Sequence, residues 1–305
     1  MTPPDPTNLE HSTFTLFAEK WSPRVESAID DLLPSVEVTP TRLHEAMRYA
    51  LFPGGKRLRP ILALIGCEAT GGDLERALRA AAATELLHSY SLVHDDLPCM
   101  DDDDLRRGRP TCHKVYGEAL AVLVGDALLT LSFEAVVEGG TPAVIALARA
   151  AGSLGMVGGQ VADLESEGDS PDEDRVRWIH DHKTAALIRA SLLVGAHAGG
   201  GNLSTLDALA EYGDLIGRAF QIADDCLDLT ATAEDLGKRP GQDLAANKLT
   251  FPAVMGLSAS RAAAEALVDT AEQLAATICS WAAQPLESAQ GLLRDAARFT
   301  VSRGS

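Results

Sequence analysis

The chain is poor in the residues that build sheets and covalent staples. Aromatic side chains make up 5% of its 305 residues, and no segment strictly alternates Val, Ile, Thr or Tyr with polar residues, so a sheet-based core is disfavoured. Its five cysteines, Cys67, Cys99, Cys112, Cys226 and Cys279, are scattered and never form a CxxC pair. That argues against a zinc or disulfide framework and for reduced thiols in the cytoplasm. Unbroken apolar runs are short, residues 61–67 being the longest kind, whereas a membrane-spanning helix needs roughly 20 apolar residues. A soluble protein with no membrane insertion is expected. Residues 1–8 have neither a basic start nor an apolar stretch and read as a flexible tail rather than a secretory signal. Basic residues are also in deficit: 26 Lys and Arg face 44 Asp and Glu, a net charge of −18. Such a field repels polyanions and excludes nucleic acid as a partner.

What the chain has in plenty is alanine and leucine, which favour helices. The expectation is an all-α protein forming one domain over residues 1–305. Apolar periodicity predicts helices at about 9–20, 23–33, 40–52, 57–69, 73–97, 113–138, 142–157, 171–199, 204–230, 250–257, 259–283 and 285–302. Hydroxyl–proline pairs at Ser22-Pro23, Thr39-Pro40, Thr141-Pro142 and Ser170-Pro171 mark expected helix starts, and Ser204 with Asp207 reads as a capping box. No repeat of 20–50 residues is visible. One long loop, residues 230–249, carries Gly, Pro, Lys and Arg and is where a moving lid would sit.

Two acidic clusters interrupt this apolar pattern. The first, HDDLPCMDDDDLRRGRP at 94–110, holds Asp95, Asp96, Asp101, Asp102, Asp103 and Asp104 directly after the apolar stretch LLHSYSLV. An ordinary charge run is a solvated turn, but carboxylates at the end of a buried helix need a compensating cation, and Mg²⁺ suits oxygen ligands. Asp95 and Asp101 lie about 240° apart on an ideal helix, so they share a face only if the helix stops between them, and Pro98 supplies that stop. His88 sits two turns before Asp95 on the same face. The second cluster, FQIADDCLD at 220–228, sets Asp224 and Asp228 side by side with Asp225 adjacent. Basic residues flank both: Lys56, Arg57 and Arg59 after the Gly54-Gly55 pair, Arg106 and Arg107, Lys183, then Lys238, Arg239 and Lys248 in the long loop. Together these describe a site for two diphosphates bridged by Mg²⁺.

At this point the chain resembles the trans-isoprenyl diphosphate synthases, bacterial short-chain farnesyl diphosphate synthases most of all. The matching segments run in family order: GGKRLRP (54–60), LLHSYSLVHDDLPCMDDDDLRRGRPTCH (86–113), GDALLT (125–130), GGQVADLE (158–165), HKTAALIRAS (182–191), YGDLIGRAFQIADDCLD (212–228), LGKRPGQD (236–243) and KLTFP (248–252). The resemblance implies a single large helical bundle with a central cavity and a head-to-tail condensation giving farnesyl diphosphate, with geranylgeranyl diphosphate as the alternative. It implies that Asp95, Asp96, Asp101, Asp224, Asp225 and Asp228 bind Mg²⁺, three ions per site, with Mn²⁺ as a substitute. Arg106, Lys183, Lys238 and Lys248 would hold the allylic diphosphate. Gly55, Lys56, Arg59, His88 and Arg107 would hold isopentenyl diphosphate, and Thr184 and Gln221 would aim oxygen dipoles at the allylic carbon. Tyr90 and Ser91 would floor the tail pocket, Tyr90 lying about 7 Å down the helix from Asp95. A homodimer is implied by the family alone. Cys226 departs from the usual branched aliphatic at its position. A class I terpene cyclase is the weaker alternative, since it would replace the second cluster with an Asn/Ser/Glu-type triad and have no use for GGKRLRP.

Overall fold

Small side chains let the helices of this chain approach closely, and that decides its architecture. The computed structural model describes residues 12–52, 55–168, 170–230, 248–280 and 287–302. In chain order the helices are α1 (Thr13–Leu32), α2 (Thr41–Leu51), α3 (Leu58–Glu68) and α4 (Leu74–Asp95). A two-stranded ribbon, β1 (Leu105–Arg106) against β2 (Arg109–Pro110), precedes α5 (Cys112–Tyr116) and α6 (Glu118–Val136). Then come α7 (Thr141–Ala151), α8 (Met156–Glu165) and α9 (Glu173–Ile179), followed by a π-helical turn (His180–Ala185) running into α10 (Ala186–Ala198). The chain continues through α11 (Leu203–Thr230), α12 (Phe251–Met255), α13 (Leu257–Ser280) and α14 (Glu287–Val301). The fold is all-α as expected; the ribbon is the sole strand pairing among the described residues.

Helix α3 is the hub, buried along almost its whole length from Leu58 to Cys67. It packs on α4 and α10, while α4 also meets α1 and α6, and α11 lies between α10 and α13. The α3–α10 crossing is backbone on backbone. A Cβ on Gly195 would lie 1.6 Å from the Ala63 carbonyl oxygen, and one on Gly66 would lie 2.1 Å from that of Leu192. Four consecutive alanines, residues 80–83, are fully buried in α4 and keep its neighbours equally close. The last helix is tied in by the Tyr212 hydroxyl, which donates to the Leu293 carbonyl at 2.5 Å, and by Phe299 against Phe14.

Several expected boundaries move. Pro23 lies inside a continuous α1 rather than starting a second helix; its missing N–H is tolerated while Val25, Ala28 and Ile29 bury the same face. None of the four hydroxyl–proline pairs caps a helix. The cap of α9 is Asp172, which accepts from the Arg175 amide at 3.2 Å, and that of α11 is Asn202 rather than Ser204, accepting from the Thr205 amide at 3.0 Å. Thr141 and Ser170 leave their helix starts to Gly140 and Asp172. The stretch predicted to end near 157 instead breaks at Gly152 and resumes as α8, so GGQVADLE is helical.

By length and composition two helical stretches, Glu118–Gly139 with mean hydropathy 2.0 and Thr141–Glu165 with 1.3, are apolar enough to cross a membrane, which a count of unbroken apolar runs does not reveal. Within the bundle Ala121, Val124, Leu128 and Ala135 of α6 are buried, while Val122 and Leu123 on its other side are exposed.

We expect Gly195→Ala to force the α3–α10 crossing apart and to destabilise the protein by about 1–3 kcal/mol or more, read as a lower melting temperature, with the exposed Gly108→Ala of the ribbon as a comparison of purely local backbone cost.

Candidate active site

Helix α4 delivers the first acidic cluster and then stops where Pro98 requires. Beyond Asp95 the chain curls back, so that the Asp101 amide donates to the Asp95 carbonyl at 2.8 Å and the Asp102 amide to that of Leu97 at 3.1 Å. Residues six apart in sequence thereby become neighbours. Burial raises the Asp95 carboxyl to about 6; Lys183 opposes the shift, and the adjoining charge of Asp101 adds to it. Asp96 is differently engaged. Only 3% exposed, its Oδ1 accepts from Arg106 Nε at 3.0 Å and NH2 at 2.6 Å. Arg106 NH2 also donates to Asp103 at 3.1 Å. Asp96 therefore anchors Arg106 and the ribbon.

The opposite wall is built by α8, the π turn and α11. The wide turn brings Lys183 and Thr184 to one side, and α8 crosses it at Gly159, where a Cβ would lie 2.2 Å from the Lys183 amide nitrogen. The Thr184 hydroxyl donates to Gln221 Oε1 at 2.6 Å, and Gln221 Nε2 donates to Asp225 Oδ1 at 2.9 Å. Asp225 Oδ2 takes the Phe251 amide at 2.9 Å and faces His180 Nε2 at 3.2 Å. Asp225 and Asp228 are buried, whereas Asp224 is exposed. Cys226 points away into a small core with Val176, Ile222, Leu249 and Phe251, so its thiol replaces an aliphatic side chain without touching the site.

Between the walls lies a hollow of about 60 Å³ lined by Asp163, His180, Lys183, Thr184, Gln221, Asp225 and Lys248. Lysines span it. Lys248 Nζ lies 3.1 Å from Asp101 and 3.9 Å from Asp163, and Lys183 Nζ lies 2.6 Å from Asp163. Lys248 thus joins Asp101 of the first acidic cluster to a hollow whose lining includes Asp225 of the second.

Arg106 and Arg107 line a separate hollow of about 130 Å³ together with Asp96. The Arg107 guanidinium packs on the bare Cα of Gly55, with a Cβ there only 2.8 Å from its Cζ, and its NH2 lies 3.9 Å from Glu85. Arg57 turns inward instead: 2% exposed, it bonds Glu26 at 2.7 Å, Glu85 at 2.7 Å and the Leu51 carbonyl at 2.7 Å. His88 is held well below the ordinary histidine range by burial and by the positive field of Arg59, Arg107, Arg106 and Arg57, so its ring is neutral at pH 7. Lys56 is exposed and lies over the Phe299 ring at 5.6 Å. On the helix side, Tyr90 is 6% exposed and meets His94 edge-on at 5.7 Å, and burial pushes its hydroxyl up to about 12. The Ser91 hydroxyl donates to the His88 carbonyl at 2.8 Å. Lys238, Arg239, Gly54 and the lid expected over 230–249, except its ends, lie outside the described residues.

The polyprenyl synthetase family model matches residues 40–279. The chain belongs to that family. It is 46% identical over 289 residues to the putative chloroplastic geranylgeranyl pyrophosphate synthase 8 of Arabidopsis thaliana, covering 90% of this chain and 80% of the relative. Among solved structures it is similar to an FPP/GFPP synthase from Zymomonas mobilis, with TM-score 0.82 and 39% identity over 97% of this chain and 99% of the other. A geranyltransferase from Helicobacter pylori, complexed with magnesium and isoprenyl diphosphate, gives TM-score 0.81 at 30% identity over 99% and 98% of the two chains.

For a polyprenyl synthetase the donors suit a hard divalent cation. They are carboxylate oxygens, and among the described residues no three acidic, histidine or cysteine side chains gather into a closed cage. Mg²⁺ asks for no such cage, since it keeps several waters and takes one or two carboxylates together with substrate phosphate. Burial, which raises the Asp95 carboxyl, would be offset by a cation bound beside it. Three side chains of this polyprenyl synthetase acquire a role only in the fold. Asp163 lies inside GGQVADLE, His180 two positions before HKT, and Glu85 just ahead of LLHSYSLV. Asp163 and Glu85 are polar groups in largely apolar helical stretches, which was the available signal; His180 lies in a charged stretch and gave none.

Asp95 gives a pH-dependent test. Its folded carboxyl keeps a proton to about pH 6, whereas the unfolded one loses it near pH 4. The charged form therefore costs stability above about pH 6, and the cost vanishes below about pH 4. We expect Asp95→Asn to abolish turnover yet stabilise the metal-free protein at pH 8 by about 1–3 kcal/mol, a gain that thermal melts should show disappearing toward pH 4.

Proposed function

We propose that this polyprenyl synthetase joins dimethylallyl or geranyl diphosphate head to tail with isopentenyl diphosphate, depends on magnesium, and releases farnesyl diphosphate. The observation that carries the reading is the lysine pair, in which Lys183 stands in the field of Asp95 and Lys248 joins Asp101 to a hollow lined by Asp163 and Asp225. Magnesium, bound by Asp95, Asp96 and Asp101 of the first cluster and Asp224, Asp225 and Asp228 of the second, would supply neutralisation of the charge growing on the leaving diphosphate. The Helicobacter pylori geranyltransferase, complexed with magnesium and isoprenyl diphosphate, supports that pairing.

The chain's own residues do the rest. Lys183, Lys248 and Arg106 hold the allylic diphosphate through charge-assisted hydrogen bonds, with Lys238 as their fourth partner. The allylic C–O bond breaks with its electron pair leaving on the diphosphate, and the oxygens of Thr184 and Gln221, already linked at 2.6 Å, stabilise the positive charge left on carbon. Lys56, Arg59 and Arg107 grip the second diphosphate, and neutral His88 offers a hydrogen bond without adding charge. The alkene of isopentenyl diphosphate attacks the allylic carbon, the cation moves to the new chain, and a proton passes to the departed diphosphate as the double bond re-forms. No side-chain nucleophile is involved. A dry cavity protects the cation, which is the role we assign to the lid over 230–249.

Product length is proposed from Tyr90, buried in α4 more than a turn below Asp95 with His94 packed on its ring. A ring at that depth stops a growing tail at C15. The second reading, a C20 product, is favoured by the Arabidopsis relative, which is named a geranylgeranyl pyrophosphate synthase. We further propose one catalytic domain, three magnesium ions replaceable by manganese, a homodimer and a cytoplasmic location. The exposed Val122 and Leu123 on apolar α6 support a second copy there, and five free thiols support a reducing compartment.

The purified chain, given geranyl diphosphate, isopentenyl diphosphate and Mg²⁺, should yield C15 by chromatography and nothing after EDTA. Tyr90→Ala should lengthen the product toward C20 and beyond. A C20 product from the wild type selects the second reading, and an unchanged profile in the variant removes Tyr90 from the role.

A further inference from the structure

One turn after Gly159 brings α8 into contact with the π turn, its Asp163 meets the Lys183 side chain. The carboxylate is 7% exposed and sits between two lysines from separate elements, Lys183 at 2.6 Å and Lys248 at 3.9 Å. It touches neither acidic cluster, and the reaction needs no proton or ligand from it. Its position is informative because Lys183 has a choice of anions: the same ammonium stands in the field of Asp95 across the hollow. A flexible four-carbon stem beside two carboxylates takes whichever is better placed. An ammonium that settled on Asp95 would fill the space where the diphosphate and its counterion must meet.

We infer that Asp163 is a positioning residue of the allylic diphosphate site, anchoring Lys183 against α8 and away from Asp95 while steadying Lys248 between the two walls. The inference rests on the functional reading given above and deepens it. Lys248 contacts Asp101 and Asp163 together, so this one carboxylate fixes the placement of both lysines relative to the first acidic cluster. The bland alternative is a buried ion pair that only stabilises the fold. Such pairs contribute little net stability by themselves, and this one is spread over a helix, a wide turn and the residue leading into α12, all at the edge of the hollow.

The test uses the full-length chain and steady-state kinetics with each substrate varied in turn. Asp163→Asn keeps the shape and removes the charge. We expect kcat/KM for geranyl diphosphate to fall about 10–100-fold, as small displacements of positioning groups do, with KM for isopentenyl diphosphate changed less than about 3-fold. Asp163→Glu should recover part of the loss, and thermal melts of both variants should stay close to the wild type. Placed on Lys183→Met, Asp163→Asn should cost little more, because residues acting through one another are not additive. Equal losses for both substrates with a matching drop in melting temperature, full additivity with Lys183→Met, or no loss at all would each overturn the inference. A wild-type chain that forms no prenyl product would overturn the functional reading itself, and the inference with it; an active wild type indifferent to Asp163→Asn would sink the inference alone.

Discussion

Two lysines link carboxylates from separate parts of the chain, and this alternation of charge governs what the rest of the chain must do. Lys248 pairs with Asp101 and lies near Asp163, while Lys183 pairs with Asp163 and stands in the field of Asp95. Under the proposed function, loading the site would exchange partners, with ammonium groups passing from carboxylate to phosphate. A chain with a net charge of −18 can recruit polyanions only through such local reversals of sign.

Holding open the hollow these lysines line is a matter of backbone geometry. Helices α3 and α10 touch main chain to main chain at Gly66 and Gly195, with α4 packed on α3 and α11 on α10. Gly159 does the same for α8 and the π turn. Side-chain bulk is thereby kept out of the crossings and left to line the cavity. On the basic side Arg57, bonded to Glu26 and Glu85, links α1 to α4 beneath the pair formed by Arg107 and Gly55. Its guanidinium is a buried clamp, whereas its neighbour in sequence Lys56 is exposed over the Phe299 ring.

Much of this was legible in the residues. Helix content follows from Ala and Leu, and the meeting of Asp95 with Asp101 follows from six positions of separation and one proline. The membership and order of the acidic and basic clusters were also readable. Helix starts were not: Asp172 and Asn202 won the caps over nearby hydroxyls because the cap is settled by which side chain reaches a free amide once the preceding loop is placed. Pro23 misled for a related reason, since packing of a long amphipathic face outweighs one lost hydrogen bond. The roles of Asp163, His180 and Glu85 were hidden because each is defined by a partner far away in sequence. Spacing says which side of a helix a carboxylate takes, but only the folded chain says whether an arginine is waiting there, as it is for Asp96.

The π turn between α9 and α10 adds one residue to a stretch that is otherwise ordinary helix. Each residue of helix rotates the succeeding chain by about 100°, so that single extra position sets the azimuth of all of α10 relative to α9. Removing it would straighten the rod and swing Lys183 and Thr184 off the cavity while leaving every local hydrogen bond satisfied. The segment is consequently a phasing element, intolerant of changed length.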